Sequence, residues 1–278
     1  MKEYEGKIAI VTGGGQGLGM ALCRELASKG SIVVVADINN ENAHRVASSI
    51  TQSGGRASAA QVDVSKEEQL KQLVNDTVST HGRLDYMFNN AGVAILGEAY
   101  DLTTEQWLRV LDVNLMGTIY GTLGAYQVML KQGSGHIVNV ASAAGLLPQP
   151  SNSPYSTSKH AIVGLSKSLR LEAAEMGVRV SVVCPGYLRT NIYANMAMVN
   201  VPRDRIVANV AQRKMVDPQH AARLILKSVS RNEGIIVFPA AIRWVWRLYP
   251  FFSRLLNRVW LNQMKEFRRH RVAQGVQM

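Results

Sequence analysis

The chain has 278 residues, 47% of them hydrophobic and 18% charged, a composition that builds a large core and excludes a disordered or fibrous chain. Its net charge of +11 would suit a nucleic-acid binder, but eight Lys or Arg against one acid, Glu266, fall from Ala240 onward, so the tail holds +7 of it and the body is close to ordinary. No apolar run approaches ~20 residues, so no spanning helix is expected.

The chain opens "MKEYEGKIAIVTGGG", where two glutamates ahead of a short apolar run do not read as a secretory leader. "KIAIVT" predicts a first strand, which runs into "TGGGQGLG" with Thr12, Gly13, Gly17 and Gly19 at the spacing T-G-x-x-x-G-x-G. Glycines between a strand and a helix let the backbone turn tightly and approach a pyrophosphate, whose charge then lies at the helix N-terminus. Gly13, Gln16, Gly17, Leu18 and Gly19 are therefore candidate cofactor-binding residues. A helix from Gly19 to Lys29 leads to the strand "SIVVVAD", which ends at Asp37. A carboxylate about 20 residues after the glycines pairs with an adenosine ribose and repels a 2′-phosphate. No positive charge stands at Gln16, Ile38 or Asn39, so NAD(H) is favoured over NADP(H). Asp37 could also cap the following helix, Asn40 to Ser53.

Further strands are expected at "RASAAQVDV", "LDYMFNNAG", "GHIVNVAS", "VRVSVVCPG" and "EGIIVFPA", with helices at Lys66 to Thr80, Thr104 to Lys131 and Pro154 to Met176. Near-continuous apolar strands alternating with helices predict an α/β fold, a doubly wound parallel sheet of seven strands. Residues 1–239 read as one dinucleotide-binding and catalytic domain, and 240–278 as a basic amphipathic extension. Asp63 after the third strand, and Asn90, Ala91 and Gly92 after the fourth, stand at carboxyl ends of strands, where open α/β sheets bind ligands. The two cysteines, Cys23 and Cys184, sit in apolar patterns far apart and read as packed, reduced thiols of a cytoplasmic protein. No His or Cys cluster has metal-ligand spacing.

"YSTSK" puts Tyr155 and Lys159 four residues apart on one helix face. An ammonium beside a phenol favours the phenolate, lowering the tyrosine pKa toward a useful range for acid–base work. Ser142, ending the strand "VNVAS", could hold a carbonyl or alcohol oxygen. His160 follows the lysine but is turned about 100° away and reads as packing or surface.

Taken in order over roughly residues 5 to 239, these motifs resemble the short-chain dehydrogenase/reductase family. "TGGGQGLG" is similar to its cofactor turn, "NNAG" to its motif after the fourth strand, and "YSTSK" to its active-site pair. Asn114 in "LDVNLMG" resembles the helix asparagine that holds a proton-relay water, Ser142 the substrate-orienting serine, and "PGYLRT" the nicotinamide-side loop. The resemblance implies that Tyr155 exchanges a proton with the substrate oxygen while hydride passes to or from nicotinamide. It implies that Lys159 tunes the tyrosine and contacts the ribose, and it adds Val64, Pro185, Gly186, Leu188 and Thr190 to the cofactor site. It also implies a homodimer or homotetramer through the long helices.

In that family the segment after "PG", here Tyr187 to about Met215, forms a substrate lid. Tyr187, Leu188, Ile192, Tyr193, Met196, Met198 and Val199, facing Leu146 and Leu147, suit a lipophilic molecule. The reading is an oxidoreductase interconverting a secondary alcohol and a ketone on a steroid, retinoid or acyl-type compound. One alternative is a 3-oxoacyl thioester reductase using NADPH, but those enzymes end soon after the last strand and this chain runs on for almost forty residues. The alternative of another class is a cofactor-sensing scaffold, which keeping Asn114, Ser142, Tyr155 and Lys159 together argues against. In the extension, Arg243, Arg247, Arg254, Arg258, Lys265, Arg268 and Arg269 share one sector of a helical wheel. Trp244, Leu248, Phe252, Leu255, Leu256, Val259, Trp260 and Phe267 fill the remainder, and Pro250 should kink the helix. This pattern fits peripheral attachment through residues 240 to 271 to the cytoplasmic face of an anionic membrane, or packing on the body or a second subunit.

Overall fold

A computed structural model of the chain describes residues 3–190, 192 and 196–269. Tyr193 of the lid and Arg271 of the tail lie outside the described residues. The strands are β1 (Ile8–Thr12), β2 (Ile32–Asp37), β3 (Arg56–Gln61), β4 (Tyr86–Asn89), β5 (Ile95–Leu96), β6 (Gly135–Val140), β7 (Val178–Pro185), β8 (Ala197–Met198) and β9 (Ile235–Phe238). Seven of them form one sheet in the order β3-β2-β1-β4-β6-β7-β9, all pairs parallel, as the alternation of strands and helices predicts. Parallel neighbours cannot be joined by tight hairpins, so helices cross over both faces. These are α1 (Gly17–Ser28), α2 (Asn40–Gln52), α3 (Glu67–His81), α4 (Thr104–Leu111), α5 (Gly117–Gln132), α6 (Ser153–Glu172), α7 (Arg203–Ala211) and α8 (Pro218–Ser230), followed by α9 (Ala240–Arg269).

The pleat sorts β1 between two cores. Ala9 and Val11 pack with α1, α2 and α8, whereas Ile10 packs with α3 and α5 on the other face. Strand order reverses between β1 and β4, which opens a crevice at their carboxyl ends. β3, an outer strand, has the polar sequence RASAAQ and no fully buried residue, which suits a sheet edge. Cys23 lies in the first core, and Cys184 in a smaller cluster with Ile162, Val182 and Val237. Both thiols are free and buried, and burial raises the pKa of each, that of Cys184 to about 12.

Two helical expectations need correction. The stretch from Thr104 to Lys131 is not one helix: a π-helical turn at Asp112–Met116 separates α4 from α5. The wider turn carries Asn114 into the interior, fully buried, where its amide satisfies the backbone of Val93. Likewise α6 stops at Glu172 and a 3₁₀ turn at Ala174–Met176 follows, ending at Gly177 with φ 73°. The short pair β5–β8, together with α7 and α8, adds elements that the apolar patterning did not announce. Pro250 does bend α9: Phe252 leaves helical geometry at φ −119°, ψ 24°, giving two arms.

Candidate active site

The glycine turn has the shape of a cradle. Gly13 (φ 62°) and Gly17 (φ 54°) take backbone conformations that side chains disfavour, and a Cβ at Gly13 would stand 2.9 Å from the Ala91 Cα. A Cβ at Gly19 would collide with the Gly13 carbonyl, so the first turn of α1 closes against the loop only because that residue is glycine. Gln16 precedes α1 in an extended conformation without capping it through its side chain, and Gly17, Leu18 and Gly19 of the first turn line the crevice. The loop after β4 is fastened to this turn. Thr12 Oγ1 accepts from the Asn90 and Ala91 N–H groups at 3.0 and 3.1 Å, and Asn90 Nδ2 donates to the Thr12 carbonyl at 2.9 Å.

Asp37 lies at the end of β2 with only 8% of its surface exposed, beside this turn. One carboxylate oxygen accepts from the Gly15 N–H and the other from the Asn39 N–H, each at 2.9 Å. The helix cap belongs to Asn39, whose Oδ1 accepts from the Asn42 N–H, so Asp37 braces the cradle instead of capping α2. Asp63 and Val64 do not line the crevice. The Asp63 carboxylate accepts from the hydroxyl and N–H of Ser65, and Val64 packs against Gly117.

Across the crevice, Ser142 follows the end of β6 by two residues and α6 begins two residues before Tyr155. Ser142 and Tyr155 line the same part of the crevice, where the Ser142 hydroxyl lies close enough to the phenol to lower its pKa and also accepts from the Ala144 N–H at 3.1 Å. Lys159 is buried below them, with Nζ 5.5 Å from the centre of the Tyr155 ring and donating to the Val140 carbonyl at 2.8 Å. Asn114 stands behind this group, its Nδ2 donating to Ser158 Oγ at 3.1 Å. Gly92 is flanked by Asn114 Oδ1 and Lys159 Nζ.

Residues 7–198 match the family model for short chain dehydrogenases. A cyclohexanol dehydrogenase of Acinetobacter sp. (strain SE19) is 37% identical over 237 residues, which cover 84% of this chain and 92% of that protein. An uncharacterized oxidoreductase of Staphylococcus aureus (strain MW2) is 32% identical, covering 85% and 96%. Among solved structures, a short-chain dehydrogenase/reductase of Burkholderia phymatum in complex with NAD superposes with a TM-score of 0.84 at 30% identity, covering 92% of this chain and 97% of that one. The chain belongs to the short-chain dehydrogenase/reductase family.

As a short-chain dehydrogenase/reductase it is an oxidoreductase acting on CH–OH groups, and the electrostatics of its site can be read in that light. The expectation that Lys159 lowers the tyrosine pKa meets a larger opposing influence. Burial dominates and raises the Tyr155 phenol, against which the Ser142 hydroxyl pulls down. The reason is geometric: the ammonium lies over the ring face, and desolvation pushes Lys159 itself down to about 8. Tyr155 is therefore held protonated at neutral pH.

The crevice widens into one cleft of about 930 Å³ that runs from Gly13, Gln16, Gly17, Leu18, Gly19 and Asp37 past Asn90, Ala91 and Gly92 to Ser142, Tyr155 and Lys159. Pro185, Gly186, Leu188 and Thr190 form its far rim, and the Thr190 methyl approaches Gly17. The outer chamber is mostly apolar, with Ile95, Leu147, Pro148, Tyr187, Ile192 and Met196 in its walls. Of the other residues expected in the lid, Leu188 lines the cleft, Val199 packs with Ile95, and Met198 pairs with Leu96, while Leu146, expected opposite the lid, packs with Ile162 and Val182. His160 lies outside the site, exposed on α6 with Nδ1 near the Ser156 carbonyl.

Three contributors escaped the motif reading. Asn152, just before α6, lines the chamber with its Oδ1 buried and without a hydrogen-bond partner. Arg109 of α4 reaches the rim, and Trp260, Met264 and Phe267 of α9 form an outer wall. Only the last group had a legible signal, a 3–4 spacing of large apolar residues within the tail.

Proposed function

We propose that this oxidoreductase interconverts a secondary alcohol and a ketone of a lipophilic small molecule, using NAD(H), with Tyr155 as the proton-exchanging group. The observation that carries the reading is the grouping of Ser142, Tyr155 and the buried Lys159 in one apolar chamber, continuous with a glycine cradle closed by Asp37. The cradle fits a dinucleotide: side chains at Gly13 or Gly19 would fill it, and the buried Asp37 carboxylate meets a ribose while opposing a 2′-phosphate. Gly13, Gln16, Gly17, Leu18 and Gly19 would hold the pyrophosphate side, with Asn90, Ala91 and Gly92 beside them. Pro185, Gly186, Leu188 and Thr190 would border the nicotinamide. Bound there, NAD supplies the hydride-transfer chemistry.

The chain's own groups govern the proton and the orientation. Ser142 holds the substrate oxygen next to the Tyr155 phenol. In ketone reduction, Tyr155 gives its proton to that oxygen, a role suited to a phenol that burial keeps protonated. In alcohol oxidation, Tyr155 must first lose its proton, and Lys159, at about 8, is the neighbouring group through which it would leave. Asn114 ties the Val93 backbone to the side chain of Ser158, the neighbour of Lys159.

The cyclohexanol dehydrogenase relative favours an alicyclic secondary alcohol within the broader range of steroid, retinoid and acyl compounds. A panel of cycloalkanols, steroid and retinoid alcohols and 3-hydroxyacyl thioesters, assayed for NADH formation with NAD⁺ and again with NADP⁺, tests the reading. Cycloalkanol turnover with an NAD⁺ preference supports it, whereas 3-hydroxyacyl thioester turnover with NADP⁺ overturns it. In Asp37→Ala the NAD⁺ preference should relax, with a loss of about 1–3 kcal/mol in NADH binding.

The partner reading extends to assembly and to lipid. Leu108 on α4, Leu123 on α5 and Leu171 on α6 are at least half exposed or nearly so, which supports oligomerisation through these helices. On α9, Trp244, Leu248, Phe251, Phe252, Leu255 and Val259 project outward beside Arg243, Arg247, Arg254 and Arg258. Among the described residues no helix is long and apolar enough to cross a membrane. An exposed aromatic stripe edged by arginines suits an anionic lipid surface that the protein lies on. Full-length protein should float with anionic vesicles, and Trp244→Ser/Phe251→Ser/Leu255→Ser should not. Equal flotation of both proteins would refute this attachment.

A further inference from the structure

The tail does more than present an outer face. Along α9 the half-buried residues are Ile242, Val245, Trp246, Tyr249, Ser253, Leu256, Trp260, Met264 and Phe267, a second stripe about a third of a turn from the exposed one. In the first arm this inner stripe seats the helix on the body, where Ile242 and Trp246 pack against the cluster around Cys184. The bend at Pro250 and Phe252 then carries the second arm over the mouth of the chamber. Tyr249, just before the bend, meets Trp260 beyond it edge-on, with ring centres 5.7 Å apart, and its hydroxyl donates to Asn257 Oδ1 at 3.2 Å. The angle between the arms is thereby fixed by side chains on both.

The far end is latched. Arg268 donates through Nε to Glu98 Oε1 at 2.8 Å, and its terminal nitrogen lies 2.7 Å from the same oxygen. Glu98 is only 5% exposed and follows β5, the short strand paired with β8 at the edge of the chamber. Glu98 Oε2 also accepts from the Tyr100 hydroxyl at 3.2 Å, so the carboxylate that receives Arg268 is itself held in place. Latched in this way, Trp260, Met264 and Phe267 line the same cleft as Ser142 and Tyr155.

We infer that the second arm of α9 is a wall of the substrate chamber, with Trp260 and Phe267 as specificity-determining residues held in place by the Arg268–Glu98 pair. The inference rests on the reading that this chamber receives the alcohol. A wall of two large rings and a thioether selects bulk: it contacts a substrate that fills the chamber and misses one that occupies only the floor.

The test uses full-length Trp260→Ala, Phe267→Ala, Trp260→Phe and Arg268→Gln, assayed with NAD⁺ against 2-propanol, cyclohexanol and cyclododecanol. For both alanine variants KM for the large ring should rise about tenfold or more, the scale of a lost apolar contact. KM for 2-propanol and the fluorescence-titrated Kd for NADH should stay within about twofold of the parent, as for residues that miss the floor and the cradle. Trp260→Phe should restore most of the selectivity, and Arg268→Gln should shift it in the same direction as the alanines. Variants that keep the parental KM ratio between large and small alcohols overturn the inference. A parent enzyme that oxidises none of the three overturns instead the reading on which it rests.

Discussion

At the scale of single residues, the site sets a phenol that burial holds protonated beside a lysine that burial makes easy to deprotonate. Tyr155→Phe keeps the ring and removes the proton, so turnover should fall by at least ~10²-fold, the lower range for a positioned acid–base group. NADH affinity, read by fluorescence titration, should be unchanged; activity near the parent's would place the acid elsewhere. Lys159 has a second consequence, for stability. Its pKa is about 8 when folded against a reference of 10.5, so between those values the unfolded chain binds more protons than the folded one. Stability from this group therefore rises with pH across that window, and the penalty of burying the ammonium is complete below about 8. Urea unfolding of the parent and Lys159→Met across this range should show the parent gaining on the variant as pH rises. Parallel curves would mean that Lys159 is not desolvated as described.

At the scale of elements, the cradle and the strand ends were legible in the sequence because backbone geometry forces residue type there. Gly13 and Gly17 sit at positive φ, Gly19 touches a carbonyl, and the YSTSK spacing falls on one turn of α6. The π turn was not legible, since Asp112–Met116 carries no proline or glycine to interrupt the helical pattern. What decides it is tertiary: Asn114 gains two hydrogen bonds to Val93 and one to Ser158 by moving inward. The tail was half legible. Its wheel separated basic from apolar residues, but periodicity could not tell which part of a wide apolar face meets protein, because Trp and Leu serve equally in a wall or an outer stripe. Asn114→Ala tests the turn. It strips partners from the part-buried N–H and carbonyl of Val93, at up to about 1–3 kcal/mol for each group left bare. Denaturant unfolding should show that loss, and an unchanged midpoint would mean that the turn holds without the amide.

At the scale of the whole molecule, one sheet divides the interior into opposite cores, and both faces must stay closed for the crevice between β1 and β4 to keep its shape. The tail joins this architecture at the β9 end through Ile242 and Trp246. The two cysteines turn that arrangement into a pair of clocks. Cys23 belongs to the core under α1 and Cys184 to the cluster that α9 covers, and burial leaves almost no thiolate on either. An alkylating reagent reaches them only when their surroundings open, so each labelling rate measures the opening of one part of the molecule. In the native protein, iodoacetamide should label Cys184 faster than Cys23, because the α9 side can part from the sheet while the α1 core stays shut. Identical rates would show that the tail and the Rossmann core open in a single event.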